Sequence, residues 1–176
     1  MNESEVRGPA SEEDSPRESI SGSQDRVPGR RTLVIGYGNP LRKDDGLGWH
    51  AARLIAARTA GRAVEVITCH QLTPELAETL SHFSRAVFID ADAEGQPGEI
   101  HQRPVLPEPP APSAFTHTCT PAGLLASAQQ LYGHAPEAFV VTVTAQSFEF
   151  GDGLTPIVAA ALPQVADYVC KVVDAI

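Results

Sequence analysis

The sequence is short of positive charge, of cysteine and of long apolar runs, and each shortage excludes something. Lysine and arginine number 13 against 22 aspartates and glutamates, a net charge of −9. Residues 1–31 hold seven of the acids and five of the bases, so −7 of the charge belongs to the remainder. That balance argues against nucleic acid and anionic membranes as partners. Three cysteines, Cys69, Cys119 and Cys170, are an odd number without C-x-x-C spacing. They predict no disulfide framework and suit a reducing cytoplasm. No basic-then-apolar signal segment is present, and no apolar run reads as long enough to span a bilayer. H-E-x-x-H, H-x-H and G-x-S-x-G are all missing, which removes the common metallopeptidase and serine-hydrolase signatures. No internal repeat is visible.

What is there centres on Gly36-Tyr37-Gly38-Asn39-Pro40-Leu41-Arg42-Lys43-Asp44-Asp45-Gly46-Leu47-Gly48. The apolar run Thr32–Ile35 before it is of strand type. Leu47, Ala51, Leu54 and Ile55 after it fall on one helical face. The stretch is therefore a strand-to-helix turn, and such turns carry ligand sites in open α/β sheets. A dinucleotide loop would need a third glycine where Leu41 stands, and its pyrophosphate would meet two carboxylates. An acidic site for a cation or for acid–base chemistry fits better. For Asp44, the plainer role of an acid at a helix N-terminus also fits.

Met1 to about Arg31 has few large apolar residues and reads as a disordered extension. Beyond it, strand patterns at 63–69, 86–89 and 138–144 alternate with helical ones, and Gly98–Arg103 reads as a short strand, an edge candidate. Thr73-Pro74-Glu75, Thr120-Pro121 and Thr155-Pro156 are helix starts with first-turn prolines. Gly133 is a helix C-cap, and Pro163 should bend the last helix or shift its start. The fold predicted is a single α/β domain over 32–176, three-layered, with a twisted, mostly parallel sheet of about five strands between helices.

Asp44-Asp45, Asp90 with Asp92, and His117 all fall where strand ends or adjoining loops would gather them on one edge. Two carboxylates and an imidazole suit a hard or borderline divalent ion. Each also has a bland role: Asp90 as an acceptor for backbone N–H groups after its strand, His117 as a loop hydrogen-bonder. His70 follows a strand and could line the cleft.

The glycine-rich turn resembles the N-terminal signature of the hydrogenase maturation endopeptidases, which process the large subunit of nickel–iron hydrogenases. The resemblance continues through Gln71–Glu78, Val87-Phe88-Ile89-Asp90-Ala91, Thr116-His117 and Ser147-Phe148-Glu149-Phe150-Gly151, covering about residues 32–174. It implies removal of a C-terminal extension from the precursor large subunit once nickel is in place, in the cytoplasm. It implies Asp45 and Asp90 as catalytic groups, Asp45, Asp90 and His117 as metal contacts, and Gly38, Asn39 and Asp44 as substrate-binding residues. The metal implied is nickel supplied by the precursor, with zinc or cadmium able to take the same place. This chain has Asp45 where many relatives carry the longer Glu. Two other functions stay open on the residues alone: a nickel-sensing chaperone without turnover, and a nucleotide-dependent α/β enzyme.

Overall fold

Four strand-type runs pair in parallel to make most of one sheet. The structure, a computed structural model, describes residues 31–109 and 119–175. The expected N-terminal extension (bar Arg31) and His117 lie outside the described residues. In chain order the elements are β1 (Thr32–Tyr37), a 3₁₀ turn (Lys43–Gly46), α1 (Leu47–Arg58), β2 (Val64–Cys69), α2 (Leu76–Ser81), β3 (Arg85–Asp92), β4 (Ile100–Val105), α3 (Pro121–Tyr132), β5 (Glu137–Thr144) and α4 (Pro156–Asp174). The sheet order is β2-β1-β3-β5-β4. All neighbours are parallel except β4, which runs antiparallel at the edge beside β5. The single three-layer α/β domain and its mostly parallel sheet of five strands are as the sequence predicts.

Side chains alternate across the strands, so each face builds its own core. Val34, Val87, Ile89, Val141 and Val143 meet α1 and α4 on one face. Leu33, Ile35, Phe88 and Val140 meet Leu80, Leu124 and Leu125 of α2 and α3 on the other. Thr120 caps α3 by accepting the Gly123 N–H at 3.1 Å, and Gly133 ends it in the left-handed conformation at φ 76°.

Three local expectations need correction. The segment Thr73–Glu75 is not yet α-helix. Its carbonyls accept the N–H groups of Leu76, Ala77 and Glu78 three residues on, so α2 starts after a tighter turn. Helix α4 runs from Pro156 through Pro163 to Asp174, and that inner proline does not shift its start. It is also long and apolar enough, by length and composition, to cross a membrane. Its face of Val158, Ala161, Val165, Val169 and Val173 is buried against the sheet, and its outer face carries Gln164, Asp167, Lys171 and Asp174.

Candidate active site

In a sheet of this order the chain leaves β1 for β2 on one side, while β3 lies on the other. The crevice at the C-terminal ends of β1 and β3 is thus the switch point, where ligands bind in open α/β sheets. Asp45 follows β1 and Asp90 lies near the end of β3, so the topology brings these two predicted carboxylates together.

The turn after β1 is built by close backbone approach. A Cβ on Gly48 would lie 2.4 and 2.5 Å from the Tyr37 N and O and 2.8 Å from the Ile89 O. Only glycine there lets α1 rest directly on β1 and β3. Gly38 has φ 123°, and a Cβ there would sit 2.0 Å from the Asp45 carbonyl. These glycines serve packing rather than a phosphate. Asn39 forms an Asx turn, its Oδ1 accepting the Leu41 N–H at 3.0 Å. Its own N–H donates to Asp45 Oδ2 at 3.1 Å, drawing that carboxylate back over the turn. Trp49 on α1 fastens two strand ends. Its Nε1 donates to the carbonyls of Gly38 at 2.9 Å and Cys69 at 3.2 Å, and its ring stands 5.5 Å from that of the exposed His70.

Asp90 is the group most altered by its surroundings. Register pairs Tyr37 with Cys69 on β2, both packed on the α2 and α3 side of the sheet, and the Tyr37 hydroxyl reaches Asp90 on β3. Burial drives the Asp90 pKa up from 3.8 to about 6. Hydrogen bonds from the Tyr37 hydroxyl and the Ala91 N–H (2.8 Å) oppose that rise, and the charges of Asp45 and Asp92 add to it. Burial also raises Tyr37 and Cys69, and the charge on Asp90 adds to both. A carboxylate with a pKa near neutrality is ionised at pH 7 yet basic enough to accept a proton.

Asp44 has a different place. It is fully buried. Its Oδ2 accepts the N–H groups of Gln146 (2.8 Å) and Ser147 (3.0 Å) and the Thr155 hydroxyl (2.9 Å), and its Oδ1 accepts the Thr155 N–H (2.7 Å). It fixes the loop between β5 and α4 beneath the glycine-rich turn. Neither a solvated helix-end acid nor a residue touching substrate describes it. Gly38 is likewise buried, with its N–H donated to the Cys69 carbonyl and its own carbonyl accepting Trp49. Of the three residues expected to bind substrate, Asn39 alone is half-exposed at the rim.

Sequence reasoning passed over Tyr37 and Trp49. Tyr37 was legible as the last residue of the alternating β1 pattern, on the same face as Ile35. Nothing local marks Trp49 as a donor to two strand ends. The described residues contain no group of three His, Cys, Asp or Glu side chains able to hold a metal ion. Among the described residues, Asp45 and Asp90 offer oxygen donors alone, and His117 lies outside them. All three cysteines are free.

No protein-family model matches the chain, and no curated protein matches it. Solved structures do. The hydrogenase maturating endopeptidase HybD from Escherichia coli aligns over 82% of this chain and 92% of its own, with a TM-score of 0.67 and 24% identity. The nickel–iron hydrogenase maturation protease HycI from Thermococcus kodakarensis covers 82% and 93%, with a TM-score of 0.67 and 17% identity. The hydrogenase 2 maturation peptidase from a Thaumarchaeota archaeon covers 82% and 98%, with a TM-score of 0.62 and 22% identity. Across almost the whole length of those proteins, the chain has their fold.

Proposed function

We propose that this protein is a hydrogenase maturation endopeptidase that removes the C-terminal extension of a nickel–iron hydrogenase large-subunit precursor after nickel insertion. The observation that carries the reading is the pair Asp45 and Asp90 at the switch point, one of them desolvated to a pKa of about 6. The glycine-rich signature, and a fold shared with proteins described as peptidases of this kind, support it.

In this reading Asp90 is the general base. It takes a proton from the attacking water, and Tyr37 keeps the carboxylate oriented. Asp45 faces the same crevice on a turn made rigid by Asn39 and Gly38. The half-exposed Asn39 lies where an incoming chain would touch the rim. Nickel arrives as part of the substrate, and Asp45, Asp90 and His117 are the residues that would meet it. A metal at that place would polarise the scissile carbonyl or acidify a bound water. The absence of H-E-x-x-H and H-x-H from the sequence favours a metal supplied by the loaded precursor over a permanent metal centre.

The test incubates the purified protein with nickel-loaded and nickel-free precursor and measures the mass of the large subunit. Wild type should shorten the loaded precursor alone, and Asp45→Asn and Asp90→Asn should leave it intact. Nickel binding without any cleavage would instead make the protein a chaperone, and cleavage by either variant at the wild-type rate would remove that residue from the chemistry.

A further inference from the structure

Two large apolar side chains stand in solvent beside the site. Leu41 is 59% exposed and Phe150 84%. The segments that carry them pair directly. Arg42 and Gly151 form a parallel bridge. The Lys43 N–H donates to the Gly151 carbonyl and the Gly151 N–H to the Leu41 carbonyl, each at 3.0 Å. This register sets Leu41 beside Phe150. The Arg42 Nε donates to the Phe148 carbonyl at 3.1 Å, and its guanidinium lies 5.9 Å from the centre of the Phe150 ring.

The patch does not belong to a loose loop. Asp44 binds the Phe150 loop from beneath through four hydrogen bonds. Lys43 is held at φ 42°, the only residue other than glycine with a positive φ among the described residues. A rigid segment that keeps a phenylalanine and a leucine in water is the mark of an interaction surface. The same turn carries Asp45, whose N–H donates to the Arg42 carbonyl at 3.1 Å. A chain lying on Leu41 and Phe150 therefore lies against the candidate catalytic turn.

We infer that Leu41, Phe150 and Arg42 form the docking rim for the protein substrate, taking an apolar side chain of the precursor with an acidic residue next to it. The inference rests on the peptidase reading above. Charge favours this occupant over a second copy of the chain. Two molecules at −9 repel each other, whereas the rim puts the Arg42 guanidinium beside the Phe150 ring, Lys43 being paired with Glu149 at 3.4 Å. An acidic residue would be repelled by Asp45 and Asp90 and drawn outward to the Arg42 guanidinium, which leaves the bond to be cut over the crevice.

The experiment follows steady-state processing of nickel-loaded precursor by the full-length wild type, Phe150→Ser, Leu41→Ser, and Leu131→Ser as a control exposed on α3. Phe150→Ser should raise KM by about tenfold and leave kcat within roughly twofold, as loss of an aromatic anchor does. Leu41→Ser should shift KM the same way by less, and Leu131→Ser should match wild type, with all melting temperatures unchanged. An unaltered KM in both rim variants, or a fall in kcat alone, would overturn the docking role. So would a wild-type dimer in sedimentation that Phe150→Ser dissociates, because a second copy would then cover the patch. A wild-type chain that cleaves no precursor would overturn the peptidase reading, and the rim with it. Normal cleavage with normal KM in the variants would overturn the rim alone.

Discussion

Asp90→Asn should stabilise the protein while abolishing its activity, and pH tells the two effects apart. The Asp90 pKa rises from 3.8 to about 6, chiefly because burial penalises the charge. The folded state therefore holds this proton more tightly than the unfolded state. Stability from this group is fully present below pH about 4, falls as pH rises toward 6, and is constant above that. The difference corresponds to roughly 3 kcal/mol, at about 1.4 kcal/mol for each pH unit. Asparagine keeps an oxygen for the Ala91 N–H and the Tyr37 hydroxyl and carries no charge to desolvate. At pH 8 the variant should gain about 3 kcal/mol, a rise in melting temperature of roughly 6–12 °C for a domain of this size. At pH 4 the two proteins should melt together. Urea unfolding at both pH values, with a chelator present, isolates the effect because every other titrating group is common to both. Processing should meanwhile fall by about 10²–10⁴-fold, the usual contribution of a general base. In wild type it should rise with pH through about 6 as the base ionises. A variant no more stable than wild type at pH 8, or a gap equal at both pH values, would refute the reasoning.

Asp44→Asn should cost about 3–5 kcal/mol in urea unfolding, because an amide turned toward the Gln146, Ser147 and Thr155 donors leaves at least one of them buried and unpaired. Gly48→Ala should cost about 3 kcal/mol or more, since its Cβ meets backbone atoms of Tyr37 and Ile89 that cannot move independently; a melting temperature within a degree of wild type would show that α1 can lift off the sheet. Trp49→Phe keeps the ring but removes the donor to the Gly38 and Cys69 carbonyls, so amide hydrogen exchange at the ends of β1 and β2 should quicken and stability drop by about 1–3 kcal/mol.

The sheet was legible because its signal is local. The run Ala86–Ile89, and the alternation Val64, Val66, Thr68, state strand without reference to the rest of the chain. The antiparallel direction of β4 was not legible, since direction is set by which neighbour an edge strand meets. At the site, Asp90 was readable as an acid closing an apolar strand, and Asp45 as one of two acids in a glycine-rich turn. The division of labour between Asp44 and Asp45 was not. It depends on N–H groups of Gln146, Ser147 and Thr155 that only the folded chain brings near. The start of α2 was missed for a smaller reason: a threonine–proline pair opens a 3₁₀ turn as readily as an α-helix.

The bonds of Asp44 span 102 to 111 residues of sequence. Contacts of that range are among the last to form, because a long loop must close before they return any energy. On the ribosome, the turn that carries Asp45 emerges long before its anchor, and at 5–20 residues per second it waits roughly 5–20 s for Gln146 and Thr155 to be synthesised. Until then β1 can pair with β2 and β3, but the buried carboxylate of Asp44 has no partners, and its charge resists the closure of that corner of the core. A nascent chain truncated before Gln146 would thus hold most of a sheet and no assembled site, so the crevice becomes rigid only when nearly the whole domain has left the ribosome.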